Sequence, residues 1–256
     1  MIAMLDPKTL TVLVTGATAG LGAAIARRFA QAGSRVVAIG RRKERLDALA
    51  RELGERCHTA ALDVRDRKAL DALITGLPRA FAAVNVAVAN AGLALGLEPA
   101  HKADLDDWDN MVATNINGLL YTVRAVLPGM VARDEGHVVL LGSIAADYPY
   151  PGGNVYGGTK AFVKQFALNL RADLLGTKVR VTNIEPGMAQ TEFALVRFKG
   201  DAEKADAPYR GVTPMSAEEV AEAVFWPCTL PRHVNINRLQ LMPVQQAFGP
   251  LAFSRR

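Results

Sequence analysis

Cysteine is nearly absent from this chain: two in 256 residues, Cys57 and Cys228, far apart and outside any Cys-x-x-Cys pattern. That excludes a disulfide framework and a thiolate zinc site. The four histidines, His58, His101, His137 and His233, are scattered without metal-ligand spacing, so no metal is expected. Aromatic residues are scarce at 6%, and no long basic tract interleaves with them. A formal charge of +5 therefore does not amount to a nucleic-acid platform, because acidic residues are mixed in almost everywhere. No apolar run is long enough to cross a bilayer, and Met1 to Leu10 lacks the basic start and apolar stretch of a secretory signal. A soluble, cytoplasmic protein without nucleic-acid or membrane partners is the expectation. Repeats of solenoid length, low-complexity tracts and Pro/Gly/Ser-rich linkers are missing too, so residues 1–256 read as one domain.

What is present is an apolar half of the chain, with 21% charged residues, arranged as short apolar runs alternating with amphipathic stretches. This is the pattern of βαβ units on a parallel sheet buried on both faces. Strands are predicted at about 10–15, 35–39, 57–62, 84–89, 137–142, 178–184 and 236–241, and helices at about 20–33, 43–53, 67–76, 105–132, 155–175 and 217–229. The fold class is α/β, a single-domain Rossmann fold with a doubly wound seven-stranded parallel sheet. Right-handed crossovers then place the binding loops at the carboxyl edge of that sheet.

Thr15-Gly16-Ala17-Thr18-Ala19-Gly20-Leu21-Gly22 joins the first strand to the first helix. Glycines there let the backbone turn sharply and approach a pyrophosphate, whose charge is met by free N–H groups at the helix amino end. A bare strand-to-helix connection is the alternative, and the position between first strand and first helix favours the nucleotide. The second strand ends in Gly40-Arg41-Arg42, where an NAD-binding chain would carry a carboxylate. Two cations favour a 2′-phosphate, hence NADP. If they were merely solvated they would oppose the macrodipole of the next helix, at about 0.3–1 kcal/mol each. Asp63, after the third strand, either accepts from an adenine amine or caps the next turn.

Tyr156 and Lys160 lie four apart on one helical face, so an ammonium can sit beside a phenol and favour its anion. Ser143 follows the apolar strand ending at Gly142, Asn90-Ala91-Gly92 ends the fourth strand, and Asn115 lies inside the long helix after it. On these residues the chain resembles the short-chain dehydrogenase/reductase family over essentially its whole length. It is most similar to the NADP-dependent 3-hydroxy acid dehydrogenases, also called L-allo-threonine or serine dehydrogenases. Segments 92–102, 151–156, 191–200 and 233–237 carry that finer likeness. One departure is Ala89, where the family usually has a second Asn; it puts a local structural hydrogen bond in doubt.

The resemblance implies a catalytic set of Asn115, Ser143, Tyr156 and Lys160. Tyr156 is the acid/base, Ser143 orients the substrate oxygen, Lys160 also binds the nicotinamide ribose, and Asn115 holds a proton-relaying water. The phenol, which titrates near 10 when free, is expected to be lowered by Lys160 and by the oxidised ring. The expected NADP contacts are Gly16, Thr18, Gly20, Leu21, Gly22, Arg41, Arg42, Asp63, Val64, Asn90, Gly92, Tyr156, Lys160, Pro186, Gly187, Met188 and Thr191. Residues from about 187 to 215 read as a substrate lid. Tyr150 and Phe193 are expected to supply walls, and Arg197 and Lys199 are the candidate cations for a substrate carboxylate, or else surface charges. The implied substrate is a small hydroxy acid and the implied assembly a homotetramer through the helices at about 105–132 and 155–175. The rivals are a carbonyl or 3-ketoacyl reductase on the same scaffold and a non-catalytic nucleotide-sensing protein.

Overall fold

Alternation in the first strand decides the layering. In β1 (Thr11–Thr15), Val12 and Val14 face one side of the sheet and Leu13 the other, and all three are fully buried. A strand buried on both faces must be covered by helices on both. A computed structural model of the chain, describing residues 4–249 and 253–255, shows this doubly wound arrangement. β2 (Arg35–Gly40), β3 (Cys57–Ala61), β4 (Val86–Ala89), β5 (Gly136–Leu141), β6 (Val179–Pro186) and β7 (Arg238–Leu241) complete a seven-stranded sheet in the order β3-β2-β1-β4-β5-β6-β7. Every pairing is parallel.

On one face α1 (Gly20–Gln31) packs on α9 (Ala217–Thr229), with Phe29 edge-on to Phe225 at 5.1 Å between ring centres. The other face is covered by α5 (Leu119–Ala132) and α6 (Asn154–Asp173), through Leu119, Val123, Val126, Val163, Ala167 and Leu170. Outer helices α2 (Lys43–Leu53) and α3 (Arg67–Thr75) follow β2 and β3. The order of strands reverses between β1 and β4, and ligands bind at such a switch point. Thr15 closes it: its Oγ1 accepts from the backbone N–H groups of Asn90 (3.0 Å) and Ala91 (2.9 Å), while Asn90 Nδ2 donates to Thr15 O at 2.8 Å. These bonds tie the two strand ends across the neighbourhood of Ala89, which is itself buried in the sheet.

Three differences from the sequence reading have local causes. The long helix predicted over 105–132 is α4 (Leu105–Val112), a π-helical turn at Ala113–Gly118, and α5. The turn lets Asn115 face inward, where its Oδ1 accepts from Leu93 N–H and its Nδ2 donates to Leu93 O, both at 2.8 Å. Strands β4 and β7 begin later than predicted. Asn85 and Asn235 stand just before them and use side-chain amides where backbone would pair, on Thr11 N (2.8 Å) and on Val181 N (2.7 Å) and O (2.9 Å). The segment after β6 contains two short helices, α7 (Phe193–Arg197) and α8 (Ala202–Asp206), too brief for periodicity to reveal.

Candidate active site

The carboxyl ends of β1, β2, β4, β5 and β6 open onto one cleft of about 370 Å³, the size of a small-molecule site. Its floor at one end is the turn into α1. Gly16 (φ +69°) and Gly20 (φ +50°) adopt the left-handed conformation that favours glycine, and a Cβ on Gly22 would strike the Gly16 carbonyl. Ala19 precedes α1 and no side chain among the described residues caps that helix. Its first N–H groups therefore face the cleft without partners, which suits an anionic pyrophosphate. A helix start stripped of side chains beside a cluster of guanidinium groups fits a phosphorylated dinucleotide.

Those guanidiniums belong to Arg41 and Arg42, both lining the cleft, and to Arg45 one turn further along α2. Arg42 donates through Nε (3.1 Å) and Nη2 (2.9 Å) to Thr18 Oγ1, and through Nη1 to Glu192 at 3.0 Å. Arg45 Nη1 donates to both Glu192 oxygens, at 2.6 and 2.9 Å. The two arginines, Arg45 more than Arg42, hold the Glu192 carboxyl below its usual range. Asp63 and Val64 line the same end, and Asp63 is held low mainly by its bonds to Arg65. Asp63 Oδ1 also accepts from Arg65 N–H at 3.0 Å, so it caps the turn after β3, while Asp66 caps α3.

At the other end Ser143 follows β5 and Tyr156 and Lys160 stand on the first turns of α6, with 8%, 9% and 7% of their surfaces exposed. Lys160 Nζ donates to Leu141 O at 2.7 Å and lies 5.8 Å from the centre of the Tyr156 ring. Asn115 comes close as well: a Cβ on Gly92 would sit 3.2 Å from Asn115 Oδ1 and 3.6 Å from Lys160 Nζ. The Asn115 amide also donates to Thr159 Oγ1 at 3.1 Å, and Thr159 Oγ1 donates to Tyr156 O. A single polar chain thus locks the loop after β4 to the first turn of α6.

The protonation of this end differs from the sequence expectation. Burial pushes the Tyr156 phenol up to about 12, and Tyr150 adds to the rise; the hydrogen bond with Ser143 and the Arg197 charge pull the other way. Burial also brings Lys160 down to about 8. Lys160 Nζ is engaged with Leu141 O, and burial outweighs the groups that lower the phenol. In the chain alone Tyr156 holds its proton, the state of an acid.

Over Tyr156 lies the segment after β6. Phe193 tilts against its ring at 5.7 Å between centres, and the Arg197 guanidinium stands 5.5 Å from the Tyr156 ring and 5.3 Å from that of Tyr150. Arg197 Nη2 donates to Tyr150 Oη at 2.8 Å and Nε to Gly96 O at 3.2 Å. Lys199 is elsewhere engaged: its ammonium pairs with Asp107 at 2.9 Å and Asp104 at 3.7 Å, so the structure puts it with the surface charges. Pro186, Gly187 and Thr191 line the cleft as expected of them. Met188 does not; its N–H donates to Gln246 at 2.9 Å, and Ala189 takes the place in the lining. Sequence reading missed Glu192 and Arg45 as a pair, since 147 residues separate them and no local pattern announces the contact.

The short chain dehydrogenase family profile matches residues 10–201. The chain is 58% identical over 247 residues to the NADP-dependent 3-hydroxy acid dehydrogenase YdfG of Salmonella typhi, covering 96% of this chain and 100% of the relative. It is 55% identical to sulfoacetaldehyde reductase 2 of Chromohalobacter salexigens, covering 95% of this chain and 98% of that one. Among solved structures, the closed form of a serine dehydrogenase complexed with NADP+ superposes with a TM-score of 0.92 at 56% identity, covering 96% of this chain and 99% of that one.

Proposed function

The chain belongs to the short chain dehydrogenase family, and from that premise we propose that it is an NADP-dependent oxidoreductase of 3-hydroxy acids and β-hydroxy amino acids, such as serine and allo-threonine. When bound, NADP exchanges a hydride with the substrate β-carbon at its nicotinamide and, oxidised, adds a positive ring charge to the site. The α1 amino end with Gly16, Thr18, Gly20, Leu21 and Gly22 would hold its pyrophosphate, Arg41 and Arg42 the 2′-phosphate, and Asp63 and Val64 the adenine. Asn90, Gly92, Lys160, Pro186, Gly187, Met188 and Thr191 would surround the nicotinamide half, Met188 only from behind the cleft wall.

The chain's own work is to move one proton and aim one oxygen. Tyr156 Oη, kept protonated by burial, gives its proton to a carbonyl oxygen during reduction. In oxidation it takes that proton back, which requires the phenolate to be favoured by added positive charge. Ser143 Oγ orients the same oxygen. Lys160, brought to about 8, is poised to return protons near neutral pH, and Asn115 holds the loop beside it.

The observation that carries the substrate class is Arg197. It is a fixed cation 5.5 Å from the ring of the acid/base, bonded to Tyr150 and belonging to the lid that covers it. A β-hydroxy acid anchored there by its carboxylate presents its hydroxyl toward Tyr156 and Ser143. Charge-assisted contacts contribute about 1.5–3 kcal/mol. Methyl esters and the corresponding simple alcohols should therefore show kcat/KM about tenfold to a hundredfold below the free acids. Arg197→Ala should impose the same loss on the acid and little on the ester. Equal turnover of acid, ester and alcohol would put the broad carbonyl reductase reading in front. Because a guanidinium pairs a sulfonate as readily as a carboxylate, small sulfonated aldehydes form a second substrate class, in keeping with the named activity of one relative.

The lid, about 187–215, is part of this proposal, as are a single domain over the whole chain and a homotetramer in the cytoplasm. Exposed Val112, Val131, Leu168 and Leu175 on or beside α4, α5 and α6 support self-association. The cytoplasm is where a pool of NADP(H) is kept. A steady-state turnover assay and a sedimentation run test these readings apart from each other.

A further inference from the structure

The arginine cluster after β2 already has an anion of its own. Glu192, at the start of the lid, contacts Arg42 at 3.0 Å and Arg45 at 2.6 Å. Lys43 stands beside them but is neutralised by Asp47 at 2.7 Å. Three guanidiniums, those of Arg41, Arg42 and Arg45, thus gather here, and the last two share the Glu192 carboxylate. A phosphate monoester brings roughly −1.5 to −2 further charge, which with Glu192 closely balances the three.

We propose that Glu192 is a specificity-determining residue for the cofactor: the resident counter-anion that sets how strongly the arginine cluster discriminates a ribose 2′-phosphate from a bare ribose hydroxyl. The proposal rests on the assignment of Arg41 and Arg42 to that phosphate. Its physics is a competition between two anions for the same cations. Without a 2′-phosphate Glu192 still neutralises one of the three charges, so a ligand lacking the phosphate does not leave all three bare. With the phosphate, the carboxylate lies beside a second anion and weakens its binding. Arg42 does not depend on Glu192 for its position, because two of its donors are spent on Thr18 Oγ1. Removing the carboxylate therefore changes charge more than geometry. The site is partly open, with Glu192, Arg42 and Arg45 42–45% exposed, so the effect is moderate and falls with salt.

Adenosine 2′,5′-bisphosphate and adenosine 5′-monophosphate probe the cluster without any nicotinamide, by titration calorimetry at low salt. Glu192→Gln should tighten the bisphosphate by about threefold to tenfold and shift the monophosphate by less than about twofold. Glu192→Ala, which offers no amide in place of the carboxylate, should shift the ratio in the same direction. Raising the ionic strength to about 0.5 M should shrink the difference between wild type and both variants. An unchanged ratio of the two affinities, or a bisphosphate bound more weakly by both variants, would overturn the assignment. A wild type that does not prefer the bisphosphate would instead remove the underlying reading of Arg41 and Arg42.

Discussion

The two ends of the cleft are built from different materials. At the phosphate end the ligand meets backbone, through the Gly16–Gly22 turn and the uncapped start of α1, together with guanidiniums 44–45% exposed on Arg42 and Arg45. At the reacting end it meets side chains, Ser143, Tyr156 and Lys160, each less than a tenth exposed. Charges in the first region are screened by water, and those in the second are not. Substitutions of the same formal kind should therefore differ in size between the two ends, and in what they change.

The largest effect belongs to the dry end. Tyr156→Phe removes only an ionisable hydroxyl, so kcat should fall by about 10²–10⁴-fold while the dissociation constant for NADPH stays within about twofold. Fluorescence titration beside steady-state kinetics checks both halves. A variant keeping most of its turnover would mean that the proton comes from elsewhere and that the two ends are not chemically distinct.

Lys160 sharpens the comparison through stability. Burial lowers its ammonium from 10.5 to about 8, so at neutral pH the native state carries a charge it would rather lose. The sign follows from linkage. Between about pH 8 and 10.5 the unfolded chain binds the proton more readily than the native one, so this group's penalty is full below 8 and fades as pH rises to 10.5. Lys160→Met should be more stable than wild type by about 1–3 kcal/mol at pH 7, and the gap should close above pH 10. Denaturant melts of both proteins across that range provide the measurement. The variant should also lose activity, a stabilisation gained at the cost of function.

At the wet end the corresponding change is smaller. Arg41→Ala with Arg42→Ala should cut the preference for NADP(H) over NAD(H) by about tenfold, since each contact is discounted by solvent. The ratio of kcat/KM for the two cofactors reports it. Loss of both cofactors alike would show that the arginines shape the turn into α2 instead of reading a phosphate.

The same contrast explains what could be read from sequence. The phosphate end is local: glycines, helix start and arginines fall within short windows, so Thr15–Gly22 and Gly40–Arg42 announce themselves in order. The proposed catalytic residues were legible because Tyr156 and Lys160 share a helix face and Ser143 follows a strand. Their electrostatics were not, because burial is a property of the packed chain: it pushes the phenol up in the chain alone, where the sequence reading counted on Lys160 and the oxidised ring together to lower it. Five strands and all six predicted helices begin within one residue of expectation, and β4 and β7 two residues later. The π turn at Asn115 and the Asn85 and Asn235 side-chain bonds were hidden, since each depends on a partner more than twenty residues away. The segment proposed as a lid was the least legible part. Its helices are five residues long, and Glu192, Arg197 and Lys199 are told apart only by what they touch.

Lys199 supplies the smallest effect and the finest test of where the reacting end stops. By composition it is as good a carboxylate anchor as Arg197, two residues away. Its backbone, however, sits at φ +52°, and its side chain, 58% exposed, reaches Asp107 and Asp104 at the start of α4. An exposed ion pair of this kind contributes little, because water screens it. Arg197, in contrast, is bonded to Tyr150 and faces the ring of Tyr156. Lys199→Ala keeps the unfavourable φ and deletes the ammonium together with its aliphatic stem. It should change kcat/KM by less than about threefold, and equally for the acid and its ester, because it loosens a lid fastening without touching the substrate. If the acid alone lost tenfold, the anionic group would be reaching past Arg197, and the boundary between buried chemistry and solvated surface would have to be redrawn around the Asp104–Asp107 turn.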